Sequence, residues 1–170
     1  ADQSLPLLRE ESGTQFTVEA NQVKGVLFAD LATVSGERFT IEATLPRHWV
    51  LDTIEAHPPE WLADRTLLPR GANQQLLRLN LARPISPARH LQLILRAHTR
   101  RPPAGQNAPE GFFTLASFSD LRESRRLINL QIDEPGSEFA LASDLGFARL
   151  DADDLAARDL QLFESPPSGL

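Results

Sequence analysis

The sequence predicts an all-β fold: a single, mostly antiparallel β-sandwich of about nine or ten short strands with at most one or two short helical turns. Three observations carry this. Most apolar stretches alternate with polar residues at the two-residue period of a strand that has one covered face. Turn-forming residues punctuate them at spacings near those of sandwiches and barrels. One covered and one wet face per strand is also what two packed antiparallel sheets require. A chain of 170 residues, 41% apolar and 24% charged, has ordinary globular usage and is long enough for one sizeable core, so one domain is expected. With no Tyr, Met or Cys, nine Phe and two Trp, that core is aliphatic.

Taken in order, residues 1–14 are expected as a polar lead-in whose Leu5-Pro6-Leu7-Leu8 patch tucks against the first sheet, and 15–164 as the sandwich. In Gln15–Ala20, Phe16, Val18 and Ala20 alternate with Thr17 and Glu19. Lys24–Val34 is more continuously apolar, which predicts a central strand covered on both faces or one bent by a bulge. Ser35-Gly36 then predicts a hairpin turn into Glu37–Leu45, where Phe39, Ile41, Ala43 and Leu45 share a side. His48–Ala56 is a fourth strand of mixed parity. Residues 57–65, opening His57-Pro58-Pro59-Glu60-Trp61, break the pattern and predict a loop with at most one helical turn.

The clearest stretch is 75–98. Leu77, Leu79 and Leu81, then Leu91, Leu93 and Leu95, alternate with polar residues and predict a β-hairpin whose six leucines face one core. Residues 83–88, with Pro84 and Pro87, are expected as its connection outside the sheet, because proline cannot donate to a ladder. Residues 100–111, with three Pro and two Gly, predict a long surface loop. Further strands are expected at 112–118, 126–132, 138–142 and 159–163. A short helix is expected over Asp151–Arg158, whose acidic start and basic end suit the helix dipole. Residues 165–170 read as a linker or tail.

The charge is unevenly placed. Net charge is −6, yet 65–109 holds eight Arg and no acid, and 133–170 holds nine acids against Arg149 and Arg158. An acidic chain of this kind is not expected to bind nucleic acid, and the two regions are expected to neutralise one another. No apolar run approaches the roughly 20 residues a spanning helix needs, so membrane insertion is not expected. Absence of cysteine excludes disulfides, thiolate catalysis and Cys-ligated zinc.

Candidate chemistry is sparse. His48, His57, His90 and His98 lack metal-ligand spacing, no G-x-S-x-G elbow is present, and neither metal, cofactor nor catalytic residue is expected. Glu42, Asp52 and Glu55 fall on expected neighbouring strands and offer a carboxylate pair of glycosidase type, although outward acids on a wet face explain them more simply. Asp151, Asp153 and Asp154 resemble the start of a calcium loop, but Ala156 and Leu162 stand where its glycine and glutamate belong. Trp49 is expected in the core. Trp61, in a Pro-flanked loop with His57 and Arg65, forms the candidate ligand-binding set, a composition a glycan site uses, with a plug over the sandwich end as the simpler account.

In general architecture the chain resembles immunoglobulin-like and fibronectin-like modules, on strand spacing alone and without the Cys-Trp-Cys signature. The expected function is a non-catalytic structural or interaction module of a larger, exported protein (periplasmic, cell-surface or secreted), with neighbouring domains or another protein as partners. The alternative is a carbohydrate-binding module using Trp61. A hydrolase working through strand carboxylates stands third.

Overall fold

Nine strands form two sheets that pack face to face over one apolar layer, in a computed structural model that describes residues 5–101 and 112–132, with Ile132 described by its backbone. The strands are β1 (Leu8–Val18), β2 (Gln22–Thr33), β3 (Arg38–Pro46), β4 (Val50–His57), β5 (Leu62–Arg70), β6 (Gln74–Ile85), β7 (Leu91–Arg100), β8 (Ser117–Phe118) and β9 (Leu121–Ile132). A five-stranded sheet runs β4-β7-β2-β1-β9 and a four-stranded sheet β5-β6-β3-β8. Every pairing is antiparallel except that of β1 with β9, which is parallel. The all-β sandwich read from the sequence is therefore the observed fold. The expected loop from 102 to 111, the strands at 138–142 and 159–163, the helix at 151–158, the Asp151 cluster and the 165–170 tail lie outside the described residues.

The six leucines of the central stretch all face one core, as their alternation requires, but they do not form a hairpin. β6 pairs with β3, setting Leu77 beside Ala43 and Leu79 beside Ile41, whereas β7 pairs with β2, setting Leu93 beside Ala29 and Leu95 beside Leu27. The two strands lie in opposite sheets and meet across the core. Both arrangements bury the same parity, so the period of two cannot tell them apart. The same correction applies at Ser35-Gly36: β2 and β3 lie in different sheets, and the turn, with Gly36 at φ +74°, carries the chain across. Consecutive strands pair only as β1–β2 and β5–β6 among the described residues. β2 is the middle strand of its sheet, as its continuous apolar run implied.

Several boundaries differ from expectation, among them the start of β9, which lies at Leu121 where the strand was expected from 126. β1 begins at Leu8, because Glu10, Ser12 and Thr14 occupy inward positions that look solvent-facing in sequence. β6 continues through Arg83 and Pro84 to Ile85, which is fully buried opposite Arg38. Residues 62–70 form β5, an edge strand whose many exposed positions leave no alternation to read. Of residues 112–118 only Ser117–Phe118 is strand, while Phe112 and Phe113 pack into the core around Phe16 and Trp49.

Near the start of β3 a bulge between Arg38 and Thr40 reverses the parity of the first residues. Phe39, expected inside, is 53% exposed, and Arg38 is 2% exposed. Its guanidinium is held by the carbonyls of Thr40 (2.6 Å) and Pro6 (2.9 Å) and by Asp120 Oδ2 (2.8 Å). This fork ties the segment before β1, the start of β3 and the β8–β9 turn together.

Candidate functional site

The chain leaves the five-stranded sheet at His57, passes through a 3-10 turn at Pro59–Trp61 and enters the four-stranded sheet as β5. β4 and β5 are thus the edge strands of their sheets on the same side of the sandwich. Each has one ladder partner, β7 and β6 respectively, so its other backbone edge is unpaired within the described residues. Between them opens a cleft of about 280 Å³. Leu51 and Ile54 of β4, Leu67 of β5 and Leu77 of β6 make it apolar; Asp52, Thr53, Arg65 and Thr66 supply its polar groups.

Register explains why apolar side chains line an opening. Arg65 and Leu67 stand opposite Leu79 and Leu77, which face the core. Their side chains therefore point inward, but the sandwich ends at this edge and they meet the cleft instead. Leu67 remains 42% exposed there, whereas Leu68, of opposite parity, faces away from the cleft. Both edges are bulged, β4 between Leu51 and Thr53 and β5 between Leu62 and Asp64, and β5 carries Pro69, Asp64 and Arg70. Bulges, charges and proline on an edge discourage open-ended strand addition. The edge is thus suited to side-chain docking more than to a continued ladder. At about 280 Å³ the cleft falls at the lower limit of small-molecule sites and matches one or two large side chains.

Both oxygens of Asp52 lie 2.9 Å from His98 Nδ1, which fixes the carboxylate at the cleft mouth. The Arg65 backbone N–H donates to Asp64 Oδ1 at 2.8 Å, and its guanidinium has no ion pair among the described residues.

The sequence-derived set His57, Trp61 and Arg65 is brought to this edge but not to one pocket. Arg65 lines the cleft. Trp61 is partly buried and packs onto the core, as a plug does. His57 ends β4, with its Nε2 inaccessible and unpartnered. Trp49 is 1% exposed and belongs to the core, in contact with Phe16 at 5.6 Å between ring centres. His48 stacks on Phe112 at 5.1 Å. Burial holds its imidazole below the ordinary value, against a hydrogen bond to the Phe112 backbone that raises it.

Glu42 lies on β3 in one sheet and Asp52 and Glu55 on β4 in the other, so the expected neighbouring strands are not neighbours. Each acid has its own partner: Glu42 pairs with Arg78 at 3.1 Å, Asp52 with His98, and Glu55 with Arg96 at 2.8 Å. Arg78 and Arg96 are thereby taken up by acids on adjacent strands, while the acidic stretch 133–170 lies outside the described residues.

The sequence did not flag the buried carboxylate of Glu10, which is 1% exposed. It accepts from Ser12 Oγ (2.9 Å), Ser124 Oγ (3.2 Å) and Arg126 Nε (3.2 Å). The parallel register places Ser124 opposite Glu10 and Arg126 opposite Ser12. The space beside it holds about 20 Å³, room for a water and nothing larger. It is a satisfied internal ion pair.

No protein-family profile matches the chain, and no curated protein matches it. Solved structures do. An M1 zinc metallopeptidase from Deinococcus radiodurans, in a substituted form bound to a Tyr-Ser-Ala substrate, superposes with a TM-score of 0.51 at 13% identity, over 76% of this chain and 33% of the other. The M1 zinc metallopeptidase from the same organism gives 0.50 at 12% identity, again over 76% and 33%. At such identities the likeness is one of fold. The chain spans about a third of the length of these structures.

Proposed function

We propose that the chain is a non-catalytic β-sandwich module of a larger protein, docking onto a neighbouring domain through its β4–β5 edge. The observation that carries this is the apolar cleft between two strand edges unpaired among the described residues, lined by Leu51, Ile54, Leu77 and the 42%-exposed Leu67. Apolar side chains grouped on one edge mark a contact surface more often than a free one. The cleft accepts a side chain or two from a partner, and on its rim the anchored Asp52 and Arg65, which has no ion pair among the described residues, offer that partner one charge of each sign. Occurrence of the same fold within the longer metallopeptidase chains supports the modular reading at the level of architecture.

Hydrogen exchange tests it. Amides of 50–57 and 62–70 are compared in this chain alone and in the full-length product of its gene. Added protection confined to these two edges is the expected result; equal exchange in both forms refutes docking through them. Tryptophan fluorescence titrated across a glycan panel gives the opposing outcome, since a saturable shift abolished by Trp61→Ala would establish the carbohydrate-binding alternative instead.

A further inference from the structure

The two charges at the β4–β5 cleft are not equivalent, and the difference narrows what docks there. The walls come from the two sheets, which stack about 10 Å apart, with Asp52 on the β4 wall and Arg65 on the β5 wall. Both oxygens of Asp52 lie 2.9 Å from His98 Nδ1, so a cation arriving at this carboxylate competes with a partner already in place. The Arg65 guanidinium has neither an ion pair nor a hydrogen bond among the described residues.

The acids on the strands around Arg65 are engaged elsewhere. Asp64, its neighbour in sequence, sits opposite Asn80, turned away from the core, and accepts from the Arg65 backbone N–H at 2.8 Å. Glu42 pairs with Arg78, and Glu55 with Arg96. Arg65 itself reaches the cleft because its register partner is Leu79, one of the core-facing residues of β6. Its planar fork of donors therefore stands beside an apolar wall of Leu51, Ile54, Leu67 and Leu77.

That combination selects a ligand chemistry. A carboxylate meets the fork of an arginine with two parallel hydrogen bonds, and an ion pair against an apolar wall is stronger than one in open water. One guanidinium facing one carboxylate across the mouth suits a single negative charge better than a phosphate, which carries about two. No aromatic side chain lines the cleft, so the body of the ligand packs on leucine and isoleucine without ring stacking. A volume of about 280 Å³ has room for an aliphatic group of side-chain size.

We propose, building on the docking of a partner at this edge, that the segment seated in the cleft presents an aliphatic side chain accompanied by one carboxylate, the carboxylate held by Arg65 and the aliphatic group set against Leu51, Ile54, Leu67 and Leu77. Three probes share a leucine side chain and differ in charge: N-acetyl-leucine carries a carboxylate, leucinamide at mildly acidic pH an ammonium, and N-acetyl-leucinamide neither. Titrated into the 170-residue chain, N-acetyl-leucine is expected to shift the amide signals of 51–54 and 65–67 saturably, weakly as suits so small a molecule. It should bind about tenfold or more tighter than the other two, the margin of a charge-assisted hydrogen bond. Arg65→Gln should remove that margin, whereas Asp52→Asn, which deletes the opposing charge, should leave the affinity unchanged or raise it. Equal binding of the three probes, tighter binding of leucinamide, an unchanged affinity in Arg65→Gln, or no saturable shift on these two strands would overturn the proposal. The probes meet this chain alone, so these outcomes are separate from whether the full-length product protects the two edges.

Discussion

Replacing Arg38 by methionine removes a buried cation while keeping most of its volume. The side chain is 1% exposed and donates to two backbone carbonyls and to Asp120. Hydrogen bonds to a charged group contribute about 1.5–3 kcal/mol each, so three would sum to roughly 5–9 kcal/mol if nothing offset them. Two offsets apply. The Asp120 side chain is 46% exposed and regains water when its partner leaves, so that contact counts for about 1 kcal/mol or less. The methionine also recovers part of the several kcal/mol that desolvating a guanidinium costs. What persists is the loss at the carbonyls of Pro6 and Thr40, about 1–3 kcal/mol for each acceptor left unbonded. The expected destabilisation is about 2–4 kcal/mol, read as a lower midpoint in urea at an unchanged slope. Arg38→Lys keeps the charge but not the planar fork and is expected to fall between the two. If Arg38→Met unfolds within about 0.5 kcal/mol of the parent, the side chain acts by filling space and the three-point tether is wrong.

Leu93→Ala, at a position 1% exposed in the core, is expected to cost about 2–5 kcal/mol in the same assay; a loss under about 1 kcal/mol would mean the cavity collapses or the register is otherwise. Arg78→Glu and Arg96→Glu break the half-exposed pairs with Glu42 and Glu55. Each should cost about 0–1 kcal/mol at low salt and almost nothing at about 1 M, where the Debye length is near 3 Å. Equal losses at both salt concentrations would point to packing of the arginine stems. Burial holds the His48 imidazole below its ordinary 6.5, so the unfolded chain takes up that proton first as pH falls. Stability should therefore decline from about pH 7 downward through 6.5 until the folded group also protonates. His48→Phe, which keeps a ring on Phe112, is expected to flatten that part of the denaturation profile, and identical pH slopes in parent and variant would rule His48 out as the cause.

Alternation alone determined the class of fold and most of the core. Leu77, Leu79, Leu81, Leu91, Leu93 and Leu95 could be assigned to a buried face because a strand with one dry side must repeat every two residues. Lys24–Val34 could be assigned to a central strand because a continuous apolar run needs cover on both sides. Pairing could not be read. A leucine satisfied across the core and one satisfied beside its neighbour leave the same imprint, so two expected hairpins are crossovers between sheets. The candidate edge was half legible: proline punctuation located the turn that follows His57 and holds Trp61, but β5 was hidden because at an open edge both faces are exposed and alternation has no cause. Glu10 was hidden for the converse reason, since its partners Ser124 and Arg126 lie more than a hundred residues away and only the parallel β1–β9 register brings them to it. At Arg38 a single extra residue exchanged inside for outside. Period and punctuation are local and survive in sequence. Partner choice, bulges and the burial of polar groups are decided by which strands meet, and that is set only when the whole chain closes its core.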